Sequence, residues 1–420
     1  MHASLQRTRA HRQRRPWVVL LATALLLGAP VQAHLDPHGW RVTAFSSENV
    51  LTGESASHAI DGDPETQWHT LWHAARTTEA PTPPHFLTID LGRLQSISAV
   101  RYRARAHGEA GLPKDYQLEL SEDGQRWQTA AQGAFKYRSG LSPHAVITLD
   151  QPTKARHLRL TVLSLLESRT STEPGLVVGE IDVATPRSPL VPTTLIPVPQ
   201  SREWSYGGYD WQERHRALCS YAAEHPARLI FLGDSINHRW GGPPTDVTPR
   251  TGAAVWEQYY GHRNALELGC GWDRLENMLW RLQHGELEAS DPRLVVLMAG
   301  TNNLEVNSPE EIAAGVAGLC DEIHRQKPRA RILLLAIFPR GKDRHFRELD
   351  ETNRLIAKLG RRSYIQFKDI GSVFLNEQGE LTREIMPDLL HPGEEGYRRW
   401  AKAIEPEISR ALRDQQVPSR

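Results

Sequence analysis

Cysteine is scarce. Three residues, Cys219, Cys270 and Cys320, stand in a chain of 420. They are too few for a disulfide framework, and none sits in a Cys-x-x-Cys or Cys/His ligand spacing. A surplus of charge is also absent, with 50 Lys+Arg against 50 Asp+Glu, so the chain lacks the basic footprint of a nucleic-acid binder. Apolar runs of membrane length are missing. The longest, Trp17 to Ala29, falls short of the roughly 20 residues a spanning helix needs. What is present excludes dominant disorder, because 39% of residues are hydrophobic and can build cores. The length predicts two or three domains.

The first 33 residues read as an address. Arg7, Arg9, Arg12, Arg14 and Arg15 precede any acidic residue, an apolar run follows, and Val31-Gln32-Ala33 supplies a small-x-Ala cleavage pattern. This is the order of a secretory signal peptide; an uncleaved N-terminal anchor is the other reading. The expected location is secreted or periplasmic, with no membrane span after signal removal and with each cysteine buried singly. Without this segment 45 basic residues face 50 acidic ones. The net charge of −5 disfavours nucleic acid and anionic membrane surfaces as partners.

From residue 38 to 185 the texture is that of β-structure. Runs such as Phe86–Leu91, Ile97–Tyr102, Tyr116–Leu120 and His157–Val162 are short, and several alternate apolar with polar residues, as half-buried strands do. Ser121-Glu122-Asp123-Gly124-Gln125 reads as a turn between strands. An all-β sandwich is expected. Residues 186–200 hold five prolines (Pro186, Pro189, Pro192, Pro197, Pro199), which predicts an extended, semi-rigid spacer. From 201 to 415 the pattern changes. Apolar strands at Arg228–Leu232, Ala265–Leu268, Leu294–Met298, Arg331–Phe338 and Tyr364–Phe367 alternate with helical segments at Arg274–His284, Pro309–Gln326, Arg347–Leu359 and Gly393–Leu412. This predicts a three-layer α/β domain with a parallel sheet. Ligands of such sheets bind beyond the C-terminal strand ends.

Three polar groups fall at such places. Gly233-Asp234-Ser235 follows the first strand, Gly300-Thr301-Asn302-Asn303 follows a later one, and Asp388-Leu389-Leu390-His391 lies near the C-terminus. Singly, each has an ordinary reading: a capping turn, an Asn-rich turn, a polar loop. Together they fit one mechanism. A serine in a strand-to-helix turn is exposed, an amide side chain can donate into the same crevice, and a His three residues after an Asp can be oriented by it.

These residues resemble the SGNH hydrolase family, the GDSL esterases, over about residues 229–408. Within that family the chain is similar to the catalytic subunits of platelet-activating factor acetylhydrolases, through Arg274–Leu282, Phe338-Pro339-Arg340-Gly341 and Met386-Pro387-Asp388-x-x-His391. The resemblance implies Ser235 as nucleophile, His391 as general base and acid, and Asp388 as its orienter. The oxyanion would be held by the Ser235 N–H, the Asn302 side chain and the N–H of Trp272. Trp272 stands where the family usually has glycine, and Glu267 replaces a common asparagine. A positive φ at Trp272 would be costly; its indole would wall and shorten the acyl pocket. No cofactor is implied for catalysis.

The N-terminal run Ala59-Ile60-Asp61-Gly62-Asp63-Pro64-Glu65-Thr66-Gln67-Trp68, with Leu87–Gly92, Ser121-Glu122-Asp123-Gly124-x-x-Trp127 and Gly179-Glu180-Ile181, resembles the discoidin family, that is, coagulation-factor type C and galactose-binding-like modules. It implies a jelly-roll sandwich. It also implies a structural Ca²⁺ on Asp61, Asp63, Thr66 and Glu180, unless the loop is an Asp-Gly turn without an ion. Trp68 aligns with a core tryptophan, and Trp72 is a candidate sugar contact.

Three functions compete. The first is an exported serine esterase that removes short acyl groups, O-acetyl above all, from a carbohydrate held by the N-terminal module. The second is an acetylhydrolase of phospholipid or other small esters. The third is an adhesin with an inactive hydrolase fold.

Overall fold

The computed structural model describes residues 35–63, 65–71, 81–104, 111–137, 144–167, 175–200, 210–245, 249–341 and 346–413. Residues 1–33, where a signal peptide is expected, and Trp72 lie outside the described residues.

Alternation builds the first domain. Its strands are β1 (Arg41–Phe45), β2 (Trp68–His69), β3 (His85–Arg103), β4 (Pro113–Ser121), β5 (Gln128–Ala134), β6 (His144–Leu165), β7 (Val177–Val178) and β8 (Glu180–Ala184). The main antiparallel sheet runs β1-β3-β6-β4-β5 with β8 beside β3, and β2 pairs β7. Alternate residues in the paired stretches of β3 and β6, among them Leu87, Ile89, Leu91, Leu158, Leu160 and Val162, enter one core, as a sandwich requires. The runs 86–91 and 97–102 belong to one strand rather than two. Register shifts at Asp90/Gln95 and Ile97/Ala99 bend it, which lets a single strand follow a curved sheet. Trp68 is buried, its indole donating to Ser47 O at 2.9 Å.

The second domain has five parallel strands: β9 (Leu229–Gly233), β10 (Ala265–Gly269), β11 (Leu294–Met298), β12 (Arg331–Leu335) and β13 (Ile365–Lys368). Their spatial order is β10-β9-β11-β12-β13. The helices are α1 (Trp211–Glu224), α2 (Ser235–His238), α3 (Ala253–Tyr260), α4 (Leu275–Gln283), α5 (Pro309–Gln326), α6 (Phe346–Ala357) and α7 (Glu394–Arg413). Strand side chains alternate between two cores. Ile230, Leu232, Val295 and Leu297 meet α1, α4 and α5. Leu229, Phe231, Val296 and Met298 meet Trp240, Trp256, Tyr260 and Trp400 around α3 and α7. A sheet covered on both faces explains the continuous apolar strands. The order reverses at β9, so the crevice beyond its C-terminal end is the topological switch point.

The proline-rich segment differs from the expected spacer. Arg101 of β3, paired with Asp182 at 2.8 Å, donates to Val191 O at 2.6 Å. Thr194 Oγ1 donates to Glu311 O at 2.7 Å, and Asn307 Nδ2 donates to Thr193 Oγ1 at 2.8 Å. Gly318 of α5 leaves room for Leu195, whose Cδ2 would lie 2.4 Å from any Cβ placed there. Prolines keep this stretch extended, but its interspersed Thr, Leu, Ile and Val side chains give it something to dock with.

Candidate active site

Ser235 opens α2 directly after β9, where Asp234 caps the turn by accepting from Ile236 N at 2.9 Å. Gly233 is required by close approach: a Cβ there would lie 2.7 Å from Met298 O. The chain can therefore turn sharply and present Ser235 at the switch point.

His391 lies between Ser235 and Asp388. Its Nε2 is 2.8 Å from Ser235 Oγ and its Nδ1 is 2.7 Å from Asp388 Oδ2. Asp388 Oδ1 also accepts from the main-chain N–H of His391 at 2.7 Å and of Leu390 at 3.1 Å. The turn works because Leu389 adopts φ 61° and its carbonyl accepts from Gly341 N at 2.7 Å. Sequence spacing brought Asp388 and His391 into one loop; the Gly341 support comes from the Phe338–Gly341 run.

Electrostatics favour a neutral imidazole. Burial lowers the His391 pKa below 6.5, and the cations of Arg239 and Arg340 lower it further against the pull of Asp388. Burial pushes the Asp388 carboxyl up, but the main-chain and ring N–H groups of His391 outweigh it, leaving a lowered pKa. Arg239 Nη1 stands 3.4 Å from Asp388 Oδ2. A neutral imidazole held by an ionised carboxylate can accept a proton from a hydroxyl at Nε2.

Asn302 begins the turn after β11, and Nδ2 donates to Asp273 O at 2.9 Å. An amide nitrogen carries two N–H groups, so this bond uses one of the two. Asn303 serves structure instead: its Oδ1 accepts from Leu275 N at 3.0 Å. Trp272 follows β10 with φ 65° and is 44% exposed. The strained backbone is adopted, and the indole is not packed away into the core.

Beneath this loop is a buried charge network. Asp273 accepts from Arg281 Nε at 2.7 Å and from Trp211 Nε1 at 2.6 Å; Arg281 also pairs with Glu286. Burial pushes the Asp273 carboxyl up to about 7 against the pull of Arg281. Asp234, also fully buried, is likewise raised to about 7. Residue type and spacing gave no sign of Trp211 and Arg281 as supports of the loop; the signal available was their place on amphipathic helices, which fits ordinary core residues equally well.

In the first domain, Thr66 Oγ1 donates within the Asp61 carboxylate, at 3.0 and 2.9 Å from its oxygens, and Glu180 Oε2 accepts from Gly62 N at 3.1 Å. Asp63 Oδ1 accepts from Glu65 N at 2.9 Å. Glu180 Oε1 is buried with no hydrogen-bond partner, and burial raises its carboxyl to about 8. Asp61, Asp63 and Thr66 share one loop, and Glu180, the first residue of β8, meets that loop at the Gly62 N–H. Among the described residues, however, no group of three His, Cys, Asp or Glu side chains is drawn together as a metal cluster.

Residues 231–399 match the model of the GDSL-like lipase/acylhydrolase family, and residues 41–177 match the F5/8 type C domain. The chain is 29% identical over 220 residues to platelet-activating factor acetylhydrolase IB subunit alpha2 of Rattus norvegicus, covering 52% of this chain and 91% of that protein. It is 28% identical over 211 residues to the alpha1 subunit of the same species, covering 49% and 85%. Its first domain is similar to the solved structure CpGH89CBM32-5 of Clostridium perfringens, in complex with GalNAc-beta-1,3-galactose; identity is 25%, coverage 36% of this chain and 100% of that one, and TM-score 0.31. The chain is a carboxylic ester hydrolase. More narrowly, it joins an F5/8 type C domain to a GDSL-like lipase/acylhydrolase domain.

Proposed function

We propose that this is an exported esterase that removes O-acetyl groups from a carbohydrate, with Ser235, His391 and Asp388 as its triad. The observation that carries this reading is the bridge of His391 between Ser235 Oγ and Asp388. Ser235 attacks the ester carbonyl while His391 Nε2 takes its proton. The tetrahedral oxyanion receives N–H groups from Ser235, Trp272 and Asn302. His391 then protonates the leaving alcohol, giving an acetyl-Ser235 ester. Water, deprotonated by the same imidazole, releases acetate and restores Ser235. The F5/8 type C domain would hold the polymer and raise the local ester concentration, with Trp72 among its contacts. Asp61, Asp63 and Thr66 of one loop, with Glu180 of β8, would hold a structural Ca²⁺, since hard oxygen donors and a buried carboxylate oxygen without a hydrogen bond, Glu180 Oε1, suit that ion. The arginine-led segment 1–33 would direct export.

A second reading, hydrolysis of an acetyl phospholipid, is favoured by the names of the acetylhydrolase relatives. One panel decides: acetate release from acetylated xylan, pectin and sialosides beside release from an acetyl phospholipid, with Ser235→Ala as control. The carbohydrate reading expects glycan esters to be preferred. Preference for the phospholipid overturns it, and acetate release unchanged in Ser235→Ala overturns the triad.

A further inference from the structure

The strap between the domains does not stop at α5. Val198 N donates to Glu276 O at 3.3 Å, and Asn277 Nδ2 donates to Val198 O at 3.1 Å, so the strap is clamped to the first turn of α4. Two residues later Gln200 Nε2 donates to Gly271 O at 3.1 Å and to Asp273 Oδ1 at 3.3 Å. Gln200 therefore grips the loop on both sides of Trp272.

The chemistry of the peptide bond gives this grip a direction. Gly271 C=O and Trp272 N–H belong to one planar unit, and in a trans peptide they point opposite ways. Holding the carbonyl toward Gln200 aims the Trp272 N–H away from it. The same hydrogen bond polarises the peptide and makes that N–H a better donor. The need for a clamp is visible in the backbone. Trp272 has φ 65°, a conformation that is strained for a non-glycine residue and persists only when its surroundings enforce it. The second grip, on Asp273, bears on the residue whose carbonyl receives Asn302 at 2.9 Å.

We infer that Gln200 is a positioning residue for ester hydrolysis, and that the interdomain strap is part of the oxyanion-loop scaffold rather than a tether. This rests on the reading of Ser235 as nucleophile with Trp272 and Asn302 as oxyanion donors. It explains why the strap docks instead of running free: a tether needs only length, whereas a clamp needs a fixed path to Gly271. The sandwich enters the same path through Arg101 and Val191.

The test uses the full chain with 4-nitrophenyl acetate, whose small leaving group needs no sugar contact. Gln200→Leu keeps the bulk and removes the donor. It should lower kcat roughly 10-fold or more, as misdirecting one oxyanion donor approaches the cost of losing it, while KM stays within about twofold. The rate at which a 4-nitrophenyl phosphonate modifies Ser235 should fall by a similar factor, because its transition state also places an anionic oxygen in the hole. Thr194→Val removes a strap anchor farther from the loop; it should lower Tm and reduce kcat much less than Gln200→Leu does. Should Gln200→Leu fail to fold, Gln200→Asn, one methylene too short to reach, carries the same expectation. Asn302→Ala and Ser235→Ala run alongside. If these two leave kcat intact, the Ser235 reading fails. If they lower kcat while the Gln200 variant keeps it within twofold, or moves only Tm, the positioning role is overturned.

Discussion

Asn302 donates a side-chain N–H to the main-chain carbonyl of Asp273, 2.9 Å away, and so ties the end of β11 to the end of β10 across the mouth of β9. The tie leaves a second N–H on the same nitrogen. Replacing Asn302 by Ala removes both the tie and the donor, and kcat should fall by about 10²–10³, with a smaller change in KM. Asn302→Asp should do no better, since a carboxylate cannot donate and adds repulsion to the oxyanion. Steady-state rates on 4-nitrophenyl acetate check this; a kcat within threefold of wild type would remove Asn302 from the oxyanion hole.

The acid limb of the pH profile reports His391. Burial, Arg239 and Arg340 hold its pKa below 6.5. The base is active when neutral, so kcat/KM should rise with pH and reach its plateau from a midpoint below 6.5. Removing a cation that opposes imidazolium must raise the pKa. In Arg239→Met the limb should move to higher pH, with the plateau rate less affected than the midpoint. A limb that stays in place, or moves to lower pH, contradicts the assignment of His391 as the titrating base.

How much of this was legible beforehand follows from what each residue does. The placement of Ser235 and Asn302 beyond strand ends, and of Asp388 and His391 in one loop, was readable because apolar strands mark those ends and the last two stand three positions apart. The helix over Pro309–Gln326 was readable to the residue, since Ser308, Pro309 and Glu311 build a capping box with Pro at the first position. α1 was not separated from the segment before it, because its face is polar and carries buried Arg214 and His215. The docking of the strap was not legible for a related reason. Proline spacing sets local extension and says nothing of docking, which depends on Gly318 of α5, more than a hundred residues away in sequence. The Asp273–Arg281–Glu286 network was invisible for the same cause: charged residues on a helix and in the turns that flank it read as solvent-facing until the fold encloses them.

Trp272 should set the upper size of the acyl group. Glycine at this position would suit φ 65° without strain and would remove the indole while keeping the main-chain N–H. Trp272→Gly should therefore retain acetate hydrolysis and gain on longer esters, with the hexanoate-to-acetate ratio of kcat/KM rising roughly 10-fold or more, in line with the worth of a methylene or two in an apolar pocket. Its Tm should not fall, because the lost contacts of a partly exposed ring are offset by relief at the backbone. An unchanged chain-length profile would show that the indole does not bound the acyl pocket.

Glu180 links calcium to pH. Burial raises its carboxyl to about 8 in the folded chain, against 4.5 for an ordinary glutamate. Between those pH values the folded state holds a proton that the unfolded state has lost, so this group's contribution to stability is complete below 4.5 and declines as pH rises toward 8. Asp234 and Asp273, both raised to about 7, produce a decline of the same sign, so absolute Tm cannot isolate Glu180. Calcium can. Bound at the proposed site it would replace the proton on Glu180, and its binding would tighten as that proton becomes easier to remove. The gain in Tm on adding calcium to EDTA-treated protein should be larger at pH 8 than at pH 5, and Glu180→Gln should abolish most of the difference. A Tm at pH 8 indifferent to both EDTA and calcium would mean that the Asp61–Thr66 loop holds its shape by Thr66 and Gly62 hydrogen bonds alone.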